Sequence, residues 1–208
     1  MYLSRIKLDT DRYDTMRAIA SPQILHASIE KCLNNDIKSR SLWRLDSLRE
    51  NLYLLILSAS PPCFDDFAKQ YCIENESCET KPYAQIISGI KEGRHLQFRL
   101  KGNTVHSVTG EKGVRGKVLP HITEVHKKQW LVKKSAANGF AIADNSFELV
   151  EAGKQKFWRQ SRQVEITYGV FEGVLEVKDA TLFVKALTQG IGRAKAYGCG
   201  LITIMSVK

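Results

Sequence analysis

What most constrains the fold of this chain is the order in which its hydrophobic periodicity switches between two and about 3.6 residues. Tyr2 to Leu8 alternates as a half-buried strand. Ser21-Pro22 marks a helix start, with Ser21 as N-cap and Pro22 at the first helical position. Leu25, Ile29, Cys32 and Leu33 then recur at helical spacing, which carries that helix to about Asp36. Ser41 to Asp46 and Leu52 to Ser58 read as two strands joined by a short polar turn. Pro61-Pro62 opens a second helix through about Gln70. After a polar segment, Glu74 to Thr80, a fourth strand is expected near Tyr83 to Ile87.

The same order repeats beyond a natural linker, Ser88 to Gly93. His95 to Lys101 is a strand and Thr123 to Ala137 a helix. Phe140 to Val150 and Val164 to Val177 are two long strands around a basic connection. Ala180 to about Thr188 is a helix, and Leu201 to Met205 a closing strand. Twice β-α-β-β-α-β predicts an α+β chain of two tandem ferredoxin-like (RRM-like) domains, 1–89 and 94–208.

Charge narrows the partners. The 208 residues carry a net +9, and Lys91 to Lys134 alone holds eleven Lys/Arg against three Glu and no Asp. That balance favours a polyanion, either nucleic acid or an anionic membrane surface. No run approaches the roughly 18 apolar residues of a membrane span. The N-terminus is too short and too charged in its apolar part for a signal peptide. Five cysteines without C-x-x-C spacing fit reduced thiols in a cytoplasmic protein.

Several constellations could carry chemistry. Gly190, Gly192, Gly198 and Gly200 surround Arg193 and Lys195, a composition able to bring backbone N–H groups and charge to phosphate. Lys195 stands where a dinucleotide fingerprint needs its third glycine, and the spacing is not that of a Walker A loop. An ordinary turn is the bland alternative. Lys154, Lys156, Arg159 and Arg162 surround Phe157 and Trp158, suiting phosphate contacts and base stacking or, equally, a solvated hairpin tip. Lys112, Arg115 and Lys117 alternate with Gly110, Gly113 and Gly116, as in a flexible phosphate-tracking loop. Lys127, Lys128, Lys133 and Lys134 read as the wet face of one helix. His26 shares a helix face with Gln23 and Glu30, opposite Leu25 and Ile29. It can exchange a proton at neutral pH, although spacing alone describes an ordinary surface histidine as well. His121 and His126 would point roughly 140° apart on one helix. His95 and His106 have no evident partner, so neither a metal site nor a cofactor is expected.

Taken together, these residues resemble the CasE (Cse3) family of repeat-cleaving endoribonucleases of subtype I-E CRISPR systems. The resemblance rests on Met1-Tyr2-Leu3-Ser4, on Ser21-Pro22 with His26, on Phe98 to Asn103, and on Trp130-Leu131 with Lys133-Lys134. Asn138-Gly139-Phe140, Phe171 to Val177 and the Gly190 to Leu201 block extend it over essentially the whole chain. It implies two ferredoxin-like domains and metal-independent cleavage of CRISPR repeat RNA on the 3′ side of its stem-loop. The products would be a 2′,3′-cyclic phosphate and a 5′-hydroxyl. It also implies retention of the guide alongside the other Cascade subunits.

The family's catalytic histidine falls on His26. Where members often carry a Tyr three residues earlier, this chain has Gln23, whose amide can orient but cannot act as a phenolic acid or base. Lys31 matches a Lys of some members and is a candidate to stabilise the transition state. The implied reaction is attack by the RNA's own 2′-hydroxyl, with His26 as general base or general acid, so DNA would bind uncut. The competing readings are a non-catalytic RNA-binding module and a purely structural ribonucleoprotein subunit.

Overall fold

A computed structural model describes residues 1–33, 41–73, 78–110 and 116–207. The N-terminal half runs β1 (Tyr2–Leu8), α1 (Tyr13–Ala20), α2 (Pro22–Lys31), β2 (Leu42–Leu48), β3 (Asn51–Ser58), α3 (Asp65–Tyr71), β4 (Glu79–Pro82) and α4 (Ala84–Ser88). Its strands form one antiparallel sheet in the order β2-β3-β1-β4. The C-terminal half continues with β5 (His95–Asn103), β6 (Val105–Val108), β7 (Lys117–Pro120), α5 (Glu124–Ala137) and β8 (Phe140–Ala141). It closes with β9 (Phe147–Arg159), β10 (Arg162–Val177), α6 (Ala180–Gln189), a 3₁₀ turn at Lys195–Tyr197, and β11 (Ile202–Ser206). Its sheet runs β11-β5-β10, with β8 and β9 both pairing β10, while β6 and β7 form a separate hairpin. In each half the first strand therefore lies between the last two: β1 between β3 and β4, and β5 between β10 and β11.

Several elements depart from the sequence reading, each for a physical reason. Helix α1 was not expected. It buries only the small Thr15 and Ala18 while Tyr13 and Met16 face solvent, so it carries no apolar stripe to read. Helix α2 begins at Pro22 as expected, but Ser21 makes no side-chain capping bond; the fixed φ of Pro22 suits that first helical position by itself. Helix α2 ends at Lys31 with Cys32 as its C-cap, short of the expected Asp36, and residues 34–40 lie outside the described residues. Helix α3 starts at Asp65, not at Pro61. Asp65 and Asp66 occupy its first turn, where the helix dipole favours acids. The fourth strand is β4 at Glu79–Pro82, not Tyr83 to Ile87. It is an edge strand, and Pro82 closes it at the position where a missing N–H costs least. In the second half the expected Phe140–Val150 strand divides into β8 and β9. The basic connection is itself paired strand, closed by Gln160-Ser161 with φ of 44° and 61°.

Two apolar cores explain how the halves sit together. Strand β3 alternates: Leu54 and Ile56 join Leu25 and Ile29 of α2 in the first core, while Leu57 joins Leu100, Phe171 and Leu187 in the second. The N-terminal sheet thus has one face on its own helices and one on the C-terminal half.

Arg44 on β2 fixes the join. It is 1% exposed, donates to the carbonyls of Arg99 (2.7 Å) and Leu201 (2.8 Å) and to Thr203 Oγ1 (2.7 Å), and pairs with Asp46. Asp46 also accepts from Arg99, which in turn pairs with Glu172. A buried guanidinium is tolerable only when its donors are met in this way.

Candidate active site

The turn of α2 that carries His26 buries Leu25 and Ile29 and leaves the imidazole half-exposed. His26 Nδ1 is buried without a hydrogen-bond partner and lies 3.7 Å from Glu30 Oε1. That carboxylate oxygen accepts a 2.5 Å bond from Ser41 Oγ. Glu30 is therefore held in place on the Nδ1 side of the ring.

His26 opens into a cavity of about 580 Å³ that both halves line: His26, Glu30 and Ser41 from one, Arg159 and Gly192 to Tyr197 from the other. The C-terminal wall is cationic. Arg159 donates to Tyr197 Oη at 3.0 Å, Arg193 to Ser107 Oγ at 3.3 Å, and Lys195 to the Gln189 carbonyl at 2.6 Å.

The glycines shape this wall more than they present N–H groups. The amides of Gly190, Ile191, Tyr197, Cys199 and Gly200 all donate within the protein. Gly198 has φ +79°, and a Cβ there would meet the Trp43 ring at 2.8 Å, so only glycine lets the loop lie against β2. Beneath it Cys199 is fully enclosed, and burial pushes its thiol up to about 12.

The β9–β10 hairpin closes the side of the cavity. Its Phe157 ring packs 4.9 Å from that of Tyr197, and Gln155 Nε2 donates to the Ile19 carbonyl of α1 at 3.2 Å. Its cations divide into two sets. Arg159 faces the cavity, whereas Lys154 and Lys156 grip Glu165 at 3.0 and 3.3 Å. Hydrogen bonds from those two lysines hold the Glu165 carboxyl below the usual carboxylate range. Arg162 and Trp158 are exposed at the hairpin end.

Not every residue singled out in the sequence reaches the cavity. Gln23 lies one turn before His26 and is not among the lining residues. Its Oε1 is buried with no hydrogen-bond partner. Lys31 is the exposed last residue of α2, also away from the lining. Lys117 starts β7, opposite Val108. Lys112 and Arg115 lie outside the described residues. Tyr197 and Ser41 were not singled out as site residues: Tyr197 sits uncharged within the Gly190 to Leu201 block, Ser41 begins an expected strand, and the fold alone brings both to the His26 cavity.

The histidines also differ from expectation. His106 does have a partner: its ring lies 4.6 Å from that of His121, which lies 6.0 Å from His126. Thr123 caps α5, so His121 stands outside the helix rather than on it. Among the described residues no group of three or more His, Cys, Asp or Glu is arranged to hold a metal ion, and no helix is long and apolar enough to cross a membrane.

Comparison with known proteins places this geometry. The family model for CRISPR associated protein matches residues 1–206. The CRISPR-associated endoribonuclease Cse3 of Thermus thermophilus is 24% identical over 219 residues, covering 98% of this chain and 99% of that protein. The CRISPR system Cascade subunit CasE of Escherichia coli is 28% identical over 127 residues, 58% of this chain and 62% of its own length. A structure of the endoribonuclease Cse3 bound to a 19-nucleotide RNA superposes with a TM-score of 0.84 at 23% identity. It covers 99% of this chain and 100% of that one, so the fold is shared. The chain belongs to the CRISPR-associated protein family, and the relatives it resembles are those named Cse3 and CasE.

Proposed function

We propose that this protein is a cytoplasmic endoribonuclease that binds CRISPR repeat stem-loop RNA and cleaves it on the 3′ side of the stem without a metal ion. It then keeps the guide RNA within a Cascade assembly with the other subunits. The observation that carries this reading is one cavity that His26 shares with three cations from the other half, Arg159, Arg193 and Lys195. The names of the Cse3 and CasE relatives support RNA as the substrate. The shared strand order of the two sheets supports a frame of two tandem ferredoxin-like units, 1–89 and 94–208.

In this mechanism the 2′-hydroxyl beside the scissile phosphate attacks phosphorus and displaces the 5′-oxygen, forming a 2′,3′-cyclic phosphate. His26 Nε2 takes the proton of the hydroxyl or gives one to the departing oxygen. Arg193 and Lys195, with Arg159 behind Tyr197, oppose the extra negative charge of the pentacoordinate phosphorus. Lys31 would assist only if its long stem bends back toward the phosphate. Gln23 offers a buried acceptor with no donor, which an RNA hydroxyl or a ring N–H could meet. Arg162, Lys117, Lys112 and Arg115, with Lys154 and Lys156 once released from Glu165, extend the phosphate-binding surface.

The test is single-turnover cleavage of a hairpin repeat RNA in EDTA. His26→Ala should slow cutting by about 10²-fold or more while hairpin affinity stays nearly constant. A 2′-deoxy substitution at the scissile nucleotide should stop cutting altogether. Wild-type rates from His26→Ala would remove the histidine from the mechanism, and cleavage of the deoxy substrate would require water as the nucleophile. Tight binding with no cut by the unmodified protein would leave a non-catalytic RNA-binding subunit.

A further inference from the structure

Attack of a 2′-hydroxyl on phosphorus moves two protons, one off the attacking oxygen and one onto the departing 5′-oxygen. In an in-line displacement these oxygens stand on opposite sides of phosphorus, so one imidazole cannot reach both in a single step. A second proton group is needed, across the cavity from His26. Among the described residues that line the cavity, few can give up a proton. Ser41 commits its hydroxyl to Glu30, which as a carboxylate only accepts. Arg159 and Arg193 do not deprotonate. Lys195 is drawn to the Gln189 carbonyl at 2.6 Å. Tyr197 remains, on the C-terminal wall of the cavity into which His26 opens.

The phenol of Tyr197 is held in place, and its proton is not tied up. Tyr197 ends the 3₁₀ turn, which lies against α2 and β2, and its amide donates to the Ala194 carbonyl at 2.9 Å. The flanking Ala194 and Gly198 both take left-handed φ, 58° and 79°. The ring is half-buried and packs 4.9 Å from that of Phe157. Arg159 donates to Tyr197 Oη at 3.0 Å, and a guanidinium has no atom that can accept in return. That contact therefore leaves the phenolic hydrogen for a substrate oxygen. As the proton departs, the guanidinium already stands against the negative charge that develops on Oη.

We infer that Tyr197 is the general acid of the cleavage step and His26 accordingly its general base, an assignment that rests on reading this cavity as a ribonuclease site. The bond from the 2′-oxygen to phosphorus forms as His26 Nε2 takes the hydroxyl proton. The bond from phosphorus to the 5′-oxygen breaks as Tyr197 Oη gives that oxygen its proton. The imidazolium then releases a proton to water and the phenolate takes one up, so the step balances without a co-reactant.

The test is single-turnover cleavage of two hairpin repeat RNAs, one ordinary and one with sulfur in place of the bridging 5′-oxygen at the scissile bond. A thiolate departs without first taking a proton, so the 5′-thio RNA bypasses the general acid. Tyr197→Phe keeps the ring that packs on Phe157 and removes only the hydroxyl. It should lose about 10²-fold in rate on the ordinary RNA with hairpin affinity unchanged, and cut the thio RNA as fast as the unmodified protein. His26→Ala should stay slow on both. A wild-type rate for Tyr197→Phe on the ordinary RNA would overturn the assignment. So would an equal defect on both substrates, which a hydroxyl that merely positions the RNA would give. Rescue of Lys195→Ala or His26→Ala by the thio RNA, in place of Tyr197→Phe, would assign the proton to that residue instead. Failure of the unmodified protein to cut either RNA would remove the ribonuclease reading itself, and the proton donor with it.

Discussion

The two halves share a strand order but use their connections differently. In the N-terminal half the β2–β3 turn is short, Arg49-Glu50, and the working surface is a helix face that holds one titratable ring. In the C-terminal half the corresponding hairpin, β9–β10, reaches out to pack against the glycine loop and touches α1. In the proposed mechanism one half supplies the proton carrier, His26, beside a Glu30 that Ser41 holds, and the other supplies positive charge. Neither is a complete site.

If the site exists only where the halves meet, undocking them should do the most damage. Arg44→Ala removes the guanidinium that joins β2 to β5 and β11 and leaves Asp46 short of a partner. Breaking a buried charged pair in this way costs about 3–5 kcal/mol. Urea denaturation should report that loss, and cleavage should fall with it. Arg44→Ala with wild-type stability would mean that the apolar core alone docks the halves.

The second comparison is between cations that face the cavity and hairpin cations held by a carboxylate. Arg193→Ala should weaken RNA binding and flatten the dependence of log K on log salt by somewhat under one ion. Lys156→Ala should do less, because its partner Glu165 must be given up before it can serve a phosphate. The sharper form is Glu165→Gln, which frees both lysines and should strengthen binding. Filter-binding or fluorescence titrations at several salt concentrations check all three. Equal effects for Arg193→Ala and Lys156→Ala would erase the distinction.

A smaller effect is expected at Gln23. Its unpartnered Oε1 implies an acceptor that RNA or a moving ring can satisfy, so Gln23→Ala should cost about 1–2 kcal/mol in single-turnover rate or binding. A loss as large as that of His26→Ala would give Gln23 a chemical role of its own.

How far the sequence foretold this molecule depends on which force shaped each part. Strand β1 was legible residue for residue, because its alternation answers to the same two faces along its whole length. Helix α1 was not, because its buried side is built of small residues and its large apolar residues point outward. The hairpin was expected, but not the position of its turn, for a local reason: Gln160-Ser161 takes positive φ without the glycine or asparagine that usually announces it. At the site, motif and resemblance singled out His26, Arg159, Arg193 and Lys195 individually. Their convergence, and the presence of Tyr197 and Ser41 beside them, follow from how Trp43 seats the loop and how Arg44 joins the sheets. Those contacts join residues far apart in the chain, and no local pattern encodes them.

The smallest expected effect separates the two halves by pH rather than by mutation of the site. All three clustered histidines lie in the C-terminal half, and His121 is held below its ordinary value of 6.5, first by burial and then by His106, His126 and Lys133. A histidine depressed on folding is protonated more readily in the unfolded chain, so stability is intact above about pH 6.5 and declines as pH falls through the folded value. The carboxylates held low, Glu124, Glu165 and Glu176, lose their contribution only below their ordinary 4.5. A denaturation midpoint followed from pH 7.5 to 5.5 therefore isolates the histidines. The midpoint should fall in that window for the unmodified protein and fall less for His121→Asn, whose side chain takes up no proton there. Parallel curves for the two proteins would mean that the stack adds no penalty on protonation, and that the acid sensitivity of this half lies elsewhere.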